Sequence, residues 1–440
     1  MRYFFETYGC QMNVAESASI ERMFLARSWE CAESANESDA VIINTCSVRA
    51  TAENRIFGRL GFYNALKKTR EKNGKALALI VTGCMAERLL IQLQQEFPFI
   101  DYVVGTFQKQ KFGEIISAIE KNEHYDLLIE QNEYEFAPLS FQSGTFSSYV
   151  PIMHGCNNFC TYCIVPYVRG REVSRDVKSI LDELDSLSNF GVKEITLLGQ
   201  NVNSYKSENV NFASLLNLMQ EHLEKTNSPI EWIRFLSSHP KDLSDEVISA
   251  VKNSSRICHR IHLPLQHASN KILESMNRRY TRETYFALVE KMKNEISDLT
   301  LSTDIMTGFP NETDENFETL LDFIKCVRFS TAYMYYFNPR DGTKAATMQN
   351  QIPLALKKKR LQKIIDTQLL ITSEELLKRV GRVEKVLVES ESRDDKNEML
   401  GKTSHDERVA FASDKSAIGK FVEVRFTGVS GQTLKGEINV

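Results

Sequence analysis

The chain contains no run of about 18 uninterrupted apolar residues, so a membrane-spanning helix is not expected. Its N-terminal segment also lacks the apolar core and small-residue cleavage site of a secretory signal peptide, and it carries an acidic side chain at Glu6. Without an export signal we expect a cytoplasmic protein in a reducing compartment. Cysteines in that compartment more often bind metals or take part in catalysis than form disulfides.

Net charge is also small, because 54 Lys and Arg residues against 58 Asp and Glu residues give −4. By itself this balance argues mildly against a nucleic-acid partner. With only 10 prolines, 20 glycines and nine cysteines in 440 residues, the chain is not collagenous, disordered or a small disulfide-linked scaffold. The length instead predicts two to four globular domains.

The pattern of apolar residues predicts an α/β multidomain protein. In residues 1–121, short apolar runs alternate with helix-like segments, which predicts a parallel sheet covered by helices. We interpret the polar stretch 122–147 as a linker or extension. Six strand-like runs separated by helical segments in 148–375 are typical of a partial (βα)6 barrel, although periodicity alone also allows an open sheet. Short alternating strands with glycine turns in 376–440 predict a small antiparallel β-barrel.

The strongest local motif is the CxxxCxxC spacing of Cys156, Cys160 and Cys163, which follows a strand-like run. Three thiolates on one loop can bind three irons of a 4Fe–4S cluster. The fourth iron then stays open to a chelating ligand, such as the amino and carboxylate groups of S-adenosylmethionine (SAM). Zinc is the alternative, since His154 is close enough in sequence to act as a fourth ligand.

A second set of cysteines is dispersed, because Cys10, Cys46 and Cys84 each follow an apolar strand run directly. They are separated by 36 and 38 residues, which is about the length of one βα unit. Since the carboxyl ends of parallel strands meet along one sheet edge, we expect the three thiols to converge there. Three thiolates without an obvious fourth ligand predict a second 4Fe–4S cluster. Any one of them alone would be interpreted as a core residue.

The remaining cysteines have no comparable neighbours in the sequence. Cys31 follows a helix-like segment, Cys258 precedes a strand-like run, and Cys326 lies in a helix-like segment. We expect all three to pack in the core.

The CxxxCxxC loop at the end of the first strand of a βα series resembles the radical SAM superfamily. The two cysteine sets in this order, over nearly the whole chain, resemble its methylthiotransferase family. Segments similar to the tRNA-modifying branch of that family are ETYGCQMNVAES (6–17), CNNFCTYCIVPYVRGRE (156–172), LLGQNVNSY (197–205), FLSSHP (235–240) and MNRRYTRE (276–283). The resemblance implies an N-terminal cluster domain, a partial barrel with its cluster at the C-terminal mouth, and a C-terminal RNA-binding TRAM barrel.

The same resemblance implies the cofactors, the partners and the reaction. The cofactors would be two 4Fe–4S clusters, one binding SAM and one supplying sulfur, with SAM as methyl donor and as source of a 5′-deoxyadenosyl radical. The implied substrate is N6-isopentenyladenosine at position 37, next to the anticodon of tRNA, which is methylthiolated at C2. Flavodoxin or ferredoxin would donate electrons, and we expect a monomer with no membrane partner.

Some residues at the cofactor site are implied by position in the family motifs. Tyr162 matches the aromatic residue usual between the last two cysteines. Gly199, Gln200 and Asn201 follow the second strand of the series, where the family contacts the methionyl amine of SAM. An ordinary strand-to-helix turn is the alternative interpretation of these three residues.

Further polar residues are candidates for holding cofactor or substrate. Arg169, Arg171 and Glu172 follow the cysteine loop and would bind a carboxylate or phosphate, with a local salt bridge as the alternative. Ser302 and Asp304 lie on the fifth strand-like run, within reach of the ribose or the target base. The weaker candidates, for which capping or core packing competes, are Asn13, Glu16, Asn338, Arg340, Tyr333, Tyr335, Tyr336 and Phe337.

Two segments depart from the pattern usual in the family. Gln266-His267-Ala268-Ser269 stands where Gln-Ser-Gly-Ser is common, and Asn311 stands where Gly-Phe-Pro-Gly-Glu-Thr has its second glycine. Alternative targets are therefore kept, namely threonylcarbamoyl-adenosine in tRNA or an aspartate of a ribosomal protein. A non-catalytic iron–sulfur or RNA-binding protein is the alternative that involves no reaction.

Positive charge is concentrated in residues 340–379, where nine Lys and Arg residues face four Asp and Glu residues. This segment includes the run Lys357-Lys358-Lys359-Arg360 just before the predicted C-terminal barrel. We expect the run either to contact a phosphate backbone or to form an ordinary solvated helix face.

Overall fold

The structure is a computed structural model that describes residues 1–47, 50–127, 133–393 and 395–439. Small parts of the predicted regions lie outside these described residues, namely 48–49, 128–132 of the predicted linker, 394 and 440. The chain divides into two compact units. The first comprises Met1–Asn157, Ile164–Phe190 and Leu197–Gln200, and the second comprises Asn158–Cys163, Gly191–Thr196 and Asn201–Val440. Within the described ranges, no helix is long and apolar enough to cross a membrane.

The first unit begins with a five-stranded α/β sheet. Its elements are β1 (Arg2–Tyr8), α1 (Gln11–Leu25), β2 (Glu30–Cys31), β3 (Ala40–Thr45), α2 (Ala50–Lys72), β4 (Ala78–Gly83), α3 (Cys84–Arg88), α4 (Leu90–Glu96), β5 (Tyr102–Val104) and α5 (Phe112–Lys121). The strand order is β2-β1-β3-β4-β5, and every neighbouring pair is parallel. The parallel sheet predicted from the alternating pattern is therefore confirmed.

The central strand β3 is buried along its whole length, because helices cover both faces of the sheet. Val41 and Ile43 point to the face that α2 covers, whereas Ile42 points to the face covered by α1 and α5. Since successive side chains enter two covered faces, positions 40–43 of β3 are all apolar rather than every second one.

Six main strands then alternate with helices. The elements are β6 (Ser147–Pro151), β7 (Met153–His154), α6 (Val165–Val168), β8 (Val173–Ser174), α7 (Val177–Asn189), β9 (Glu194–Leu198), β10 (Lys206–Ser207), β11 (Val210–Asn211), α8 (Phe212–Lys225), β12 (Trp232–Phe235), α9 (Asp245–Asn253), β13 (Arg260–His262), α10 (Asn270–Ser275), α11 (Arg282–Glu295), β14 (Thr300–Thr307), α12 (Asp314–Val327), β15 (Thr331–Tyr336) and α13 (Leu354–Leu377). The main strands are β6, β9, β12, β13, β14 and β15. In the second unit, β13, β14 and β15 pair in parallel, and β12 joins through the parallel bridge Ile233–Ile257.

A short antiparallel pair, β7 with β8, closes the base of the cysteine loop within the first unit. Gly155 begins this loop at φ +78°, and a Cβ there would lie 2.0 Å from the carbonyl oxygen of Arg171. Only glycine fits this close backbone approach. The sequence does not predict this closure, since strands of two residues carry no periodicity.

The C-terminal elements form a closed five-stranded barrel of β16 (Val383–Glu391), β17 (Glu398–Thr403), β18 (Arg408–Ala412), β19 (Phe421–Ser430) and β20 (Thr433–Ile438). Four neighbouring pairs are antiparallel, and β18 with β20 is parallel. One parallel pair is unavoidable, because five strands cannot close a ring with alternating directions throughout. Its core is apolar and includes Val386, Phe411 and Phe426.

This C-terminal barrel packs, within the second unit, against the amino-terminal ends of the main strands. Arg234 of β12 donates hydrogen bonds to the carbonyl oxygens of Thr403 (2.8 Å) and Ser404 (2.6 Å). Glu194, the first residue of β9, binds both Arg234 (2.8 Å) and Lys402 (2.6 Å). Further pairs are Arg260–Asp406, Asp298–His405 and Glu231–Lys385. The barrel is thus attached through specific buried polar contacts.

Candidate functional site

Three strands of the first sheet bring the dispersed cysteines to one edge. Tyr8 pairs with Thr45, and Thr45 pairs with Gly83, so all three strands end at the same level. Cys46 and Cys84 follow these ends directly and are buried, whereas Cys10 follows two residues later and is exposed. The hydrogen bond with Cys46 and the charge of Arg169 lower the pKa of Cys10 to about 6. The register therefore places the three strand ends at one sheet edge, and the convergence of the three thiols stays a prediction.

Asn13 fixes the backbone around two of these cysteines. Its Oδ1 accepts hydrogen bonds from the backbone N–H (3.3 Å) and the thiol (3.4 Å) of Cys10, which begins α1. Its Nδ2 donates to Asn44 Oδ1 (2.9 Å) and to the carbonyl oxygen of Thr45 (3.1 Å). Asn13 thus caps α1 and also ties this helix to the end of β3, so helix capping and support of the cysteine set are both served by one side chain.

Arg169 lies beside the third cysteine of this set. Its Nε donates to Cys84 Sγ at 3.2 Å, and its two terminal nitrogens lie 2.7 and 3.3 Å from the carboxylate of Glu16. Lys109 pairs with the same carboxylate. Burial alone would raise the pKa of Glu16, but the charges of Arg169 and Lys109 lower it to about 2. Arg169 therefore pairs with a carboxylate that is distant in sequence rather than with a local one, and it is not open to an added anion. Its guanidinium is held against Cys84.

His154 and Tyr134 complete this buried cluster. Their rings stack with centroids 3.4 Å apart, and His154 Nδ1 lies 3.4 Å from Arg169. Burial and the neighbouring positive charges hold the pKa of His154 well below its usual range, so the ring is neutral. In the part of the chain that the structure describes, no three His, Cys, Asp or Glu side chains converge on a single metal ion.

The CxxxCxxC loop is fastened at both of its ends. In the first unit, the N–H of Cys156 donates to the carbonyl oxygen of Gly170 (3.1 Å), and Glu172 accepts from the N–H (3.1 Å) and the side-chain amide (3.2 Å) of Asn157. In the second unit, the N–H of Cys163 donates to the carbonyl oxygen of Cys160 (2.9 Å). Arg171, a predicted cofactor ligand, is exposed on this loop.

Arg278 repeats, at this loop, the relationship of Arg169 to Cys84. Its Nη1 donates to Cys160 Sγ at 3.5 Å, and its Nη2 donates to the carbonyl oxygen of Pro264 at 3.0 Å. Its guanidinium also lies 5.1 Å from the ring centre of Tyr280. One cysteine of each set therefore accepts a hydrogen bond from a buried arginine. The sequence indicated Arg278 only as part of MNRRYTRE, and it gave no signal for Lys109 or Tyr134.

Tyr162 anchors the same loop to the interior of the second unit. Its ring packs against Ile272, Met276, Phe309 and Phe337. Burial raises the pKa of the phenol far above its usual range, so the hydroxyl stays neutral. The aromatic residue between the last two cysteines is therefore a packing anchor for the loop.

Gly199, Gln200 and Asn201 follow the carboxyl end of β9, as the sequence predicts. Gln200 Oε1 and Asn201 Oδ1 are buried, and among the described residues neither has a hydrogen-bond donor. Asn201 Nδ2 donates to Asp242 at 2.7 Å, which fixes the orientation of the amide. Buried amide oxygens without a donor suit an ammonium group such as the one SAM carries.

Ser302 and Asp304 share one histidine that the sequence analysis missed. His262 Nδ1 lies 3.1 Å from Ser302 Oγ, and its Nε2 lies 3.5 Å from Asp304 Oδ2. The ring of Tyr333 lies 5.7 Å from that of His262. The sequence could have indicated His262, which lies in the strand-like run RIHLPL (260–265). Neighbouring parallel strands place such a side chain beside those of the next strand, here Ser302.

The aromatic series on β15 differs from the favoured interpretation of core packing. Tyr333 and Tyr335 are 44% and 38% exposed, whereas Phe337 is buried in the core. The strand β15 alternates between exposed and half-buried positions, so its tyrosines remain accessible. Asn338, just beyond the strand, is exposed, and Arg340 is half-buried.

The two departures from the family pattern lie near Glu312. Its carboxylate accepts from Gly308 N–H (2.7 Å) and Thr307 Oγ1 (2.8 Å), and it lies 3.4 Å from His267 Nε2. Asn311 adopts φ +65°, a conformation that glycine and asparagine tolerate best. Both substitutions are therefore accommodated in a packed polar network.

The basic run at residues 357–360 faces inward at two of its four positions. Lys357 donates to the carbonyl oxygen of Phe337 (2.9 Å), and Arg360 binds Glu312 (2.8 Å) and Asp314 (2.7 Å). The expectation that the whole run is a solvated or phosphate-binding face is thus wrong. Positions i and i+3 lie on one helix face, and here that face packs on the barrel.

The prediction that the three remaining cysteines pack in the core is correct for only one of them. Cys258 is buried, whereas Cys31 and Cys326 are exposed. Cys31 lies on the edge strand β2, and Cys326 lies on the outer face of α12, which explains their exposure. No disulfide joins any of the nine cysteines, all of which lie in described residues.

Comparisons with known proteins cover most of the chain. Residues 150–324 match the radical SAM superfamily, 2–105 match the uncharacterized protein family UPF0004, and 377–438 match the TRAM domain. Relatives named tRNA-2-methylthio-N(6)-dimethylallyladenosine synthase are 48% identical in Treponema pallidum (strain Nichols) and 47% identical in Treponema denticola. Both alignments cover 100% of this chain and 99% and 100% of those proteins. The chain belongs to the radical SAM tRNA methylthiotransferase family.

A further member of this family, from Clostridium botulinum (strain Okra), is 40% identical over 99% of the chain and 96% of that protein. Among solved structures, the radical SAM methyltransferase TsrM from Kitasatospora setae, with cobalamin and a [4Fe-4S] cluster bound, has a TM-score of 0.58 at 12% identity. The match covers 78% of this chain and 74% of TsrM. The cobalamin-dependent radical SAM enzyme OxsB has a TM-score of 0.53 at 13% identity, over 85% and 58%.

These comparisons confirm the predicted family, fold class and enzyme activity. The partial barrel carries radical SAM chemistry, for which a 4Fe–4S cluster and SAM are the cofactors, and the C-terminal barrel is a TRAM domain. As a tRNA methylthiotransferase, the enzyme has tRNA as its partner. The donor sets agree with these cofactors, since each offers three thiols and a buried arginine N–H at one sulfur.

Proposed function

We propose that the enzyme converts N6-dimethylallyladenosine (N6-isopentenyladenosine) at position 37 of tRNA to its 2-methylthio derivative. The observation that carries this proposal is full-length identity of 47–48% to relatives whose name specifies that reaction. The segment ETYGCQMNVAES (6–17) also resembles the tRNA-modifying branch of the family.

Cys156, Cys160 and Cys163 are assigned to the cluster that binds SAM, and Cys10, Cys46 and Cys84 to the cluster that supplies sulfur. The first assignment is supported by the CxxxCxxC spacing on a loop whose base is closed by β7 and β8. The second is supported by the common level at which β1, β3 and β4 end. All six ligands belong to one chain, so neither set needs a second copy, and we propose a monomer.

When bound, the clusters and SAM supply the 5′-deoxyadenosyl radical, the sulfur and the methyl group. Arg169 and Arg278 hold one thiolate of each set by N–H donation. Gln200 and Asn201 offer buried amide oxygens that orient the ammonium group of SAM. Tyr162 fixes the loop against the core, which limits access of water.

Ser302, Asp304 and His262 are assigned to the ribose or the base. His262 links the hydroxyl and the carboxylate, so the three side chains present donors and acceptors in a fixed arrangement. The accessible ring of Tyr333 beside them suits stacking with a base. Position 37 must leave the stack of the anticodon loop to reach such a pocket, so the recognised element is the anticodon stem-loop.

Two further proposals concern the cellular setting. A one-electron donor such as flavodoxin or ferredoxin is required, because reductive cleavage of SAM consumes an electron. The enzyme works in the cytoplasm, where its tRNA substrate is found.

The reaction is tested by mass spectrometry of tRNA nucleosides from a strain without this gene. We expect 2-methylthio-N6-dimethylallyladenosine to disappear, its precursor to accumulate, and complementation to restore the product. Unchanged product would overturn the proposal. Loss of a 2-methylthiolated threonylcarbamoyl-adenosine instead would identify the alternative target.

The cysteine assignment is tested with reconstituted protein, reductant, SAM and tRNA under anaerobic conditions. Replacing Cys10, Cys46 and Cys84 by alanine should abolish the methylthiolated product while 5′-deoxyadenosine still forms. Cys326→Ser, at an exposed cysteine outside both sets, is the matched control and should behave as wild type. Full product from the triple variant would contradict the assignment.

A further inference from the structure

We propose that a groove in the second unit, formed by α10, α11 and the segment after β12, binds the phosphate backbone of the tRNA. This inference rests on the proposed function, since it adds a binding surface for the same substrate. The groove has a volume of about 910 Å³ and is lined by Lys241, Lys271, Arg278, Arg279 and Tyr280, among others.

The lining of this groove is positive, although the chain as a whole carries a small net negative charge. It contains four cationic side chains and one carboxylate, Glu274, a local excess of three positive charges in a protein of net charge −4. A cleft lined by charge of one sign concentrates the field and attracts the opposite charge. Nucleic-acid backbones are the polyanions that such a cleft suits in a tRNA-modifying enzyme.

Two of the four cations are available to a ligand. Lys241 pairs with Asp242 (2.7 Å), and Arg278 is buried and bound to Pro264 and Cys160. The side chains of Lys271 and Arg279, by contrast, are exposed, and no hydrogen bond or ion pair joins either of them to any described residue. Exposed Lys and Arg side chains bind backbone phosphates, Lys as a point charge and Arg through a planar fork, and phosphate contacts carry no base specificity.

The groove lies on the side of the strands where the candidate site is. Arg278 passes from its floor to Cys160, and Tyr280 donates to the carbonyl oxygen of Leu265, just beyond the end of β13. The first turn of α11, capped by Thr281, also faces the groove and adds the positive end of a 14-residue helix. A backbone held here passes directly beside the loop of Cys160.

The basic run on α13 is the competing position for this contact. Lys357 and Arg360 are buried in protein contacts, which leaves only Lys358 and Lys359 exposed there. The structure therefore moves the expected phosphate contact from α13 to the groove.

The test compares the affinity of full-length variants for unmodified tRNA over a series of salt concentrations. Lys271→Glu/Arg279→Glu should weaken binding about tenfold and reduce the slope of log Kd against log salt by about two. The matched control is Lys225→Glu/Lys252→Glu, two exposed lysines at the far ends of α8 and α9, which should bind within about twofold of wild type. The conservative variant Lys271→Arg/Arg279→Lys keeps both positive charges and should bind tRNA with the affinity of wild type.

Affinity of Lys271→Glu/Arg279→Glu within twofold of wild type would overturn the proposal. A larger loss in Lys358→Glu/Lys359→Glu than in the groove variant would also overturn it and assign the contact to α13. At saturating tRNA, the groove variant should retain the kcat of wild type, with the defect in KM. Wild-type protein that binds tRNA but forms no methylthiolated product would contradict the proposed function and leave the groove test valid.

Discussion

The Nε of Arg169 lies 3.2 Å from the Sγ of Cys84, although the two residues are 85 positions apart in the chain. Arg278 stands 3.5 Å from Cys160 in the same relationship. Each proposed cluster therefore has one sulfur that accepts a hydrogen bond from a buried, permanently charged guanidinium. Hydrogen bonds to cluster sulfurs are one of the means by which proteins set reduction potentials.

Replacing Arg169 should lower the reduction potential of the proposed sulfur-supplying cluster. A donor at Cys84 stabilises the reduced, more negative cluster, so Arg169→Gln should shift its potential downward, on the order of tens of millivolts. The measurement is a redox titration followed by electron paramagnetic resonance, in protein whose Cys156, Cys160 and Cys163 are replaced by alanine.

Two further variants make that titration decisive. Arg169→Lys keeps a charge opposite Glu16 but not the geometry of the guanidinium. The reduction potential of this variant should therefore lie between those of wild type and Arg169→Gln. Arg27→Gln, at an exposed arginine of the same unit, should leave the potential unchanged. Equal potentials in wild type and Arg169→Gln would show that this hydrogen bond does not tune the cluster.

Iron content should separate the two cysteine sets. Wild-type protein reconstituted with iron and sulfide should hold about eight irons, and either triple cysteine variant should hold about four. A control with Cys31, Cys258 and Cys326 replaced should keep about eight. A triple variant of one proposed set that retains full iron would remove that set from the assignment.

Gly155 should be irreplaceable at the start of the cysteine loop. Alanine there would combine a strained φ of +78° with a Cβ 2.0 Å from the carbonyl oxygen of Arg171, so the closure by β7 and β8 should fail. We expect Gly155→Ala to lose about half of the bound iron. Gly113→Ala on α5, where a Cβ meets no atom within 4 Å, should instead be neutral or stabilising by about 0.5–1 kcal/mol.

Acid should weaken the attachment of the TRAM domain through Glu194. Burial alone would raise its pKa, but Arg234 and Lys402 outweigh that effect and lower the pKa below the usual 4.5. A carboxyl group whose pKa is lowered in the folded state stabilises that state above pH 4.5, and this contribution is lost as the pH falls below that value.

Thermal denaturation of Glu194→Gln between about pH 2.5 and pH 7 checks this expectation, because the contribution of the carboxylate is lost only below pH 4.5. At neutral pH the variant should be less stable by about 3–5 kcal/mol, because the buried Arg234 loses its carboxylate partner, whereas Lys402 keeps Glu389 at 2.9 Å. The difference in Tm from wild type should shrink as the pH falls. Glu224→Gln, exposed on α8, is the matched control and should follow wild type. A difference independent of pH would contradict the role given to Glu194.

Much of the fold was readable from the sequence where periodicity is strong. The alternating pattern predicted for residues 1–121 corresponds to the parallel sheet of β1 to β5 and its helices, and the basic run at 357–360 lies on a helix, α13. The common level of the strand ends that precede Cys46 and Cys84 was also readable, because parallel strands end along one edge of a sheet.

What could not be predicted depends on contacts between distant parts of the chain. Arg169 and Glu16 are 153 residues apart, and nothing in either segment indicates the partner. The inward orientation of Lys357 and Arg360 likewise depends on what the helix packs against. Local pattern shows which residues share a face, but tertiary packing decides which face is buried.

Because the TRAM domain is attached to the amino-terminal ends of the strands, the length of a strand separates it from their carboxyl ends. Asp298, just before β14, is tied to the TRAM side through His405, whereas Thr307 at the far end of β14 lies nine residues later, about 30 Å away at about 3.3 Å per residue. An RNA that touches both ends must span at least that depth. We expect a short oligonucleotide that carries the target nucleoside to engage one end only.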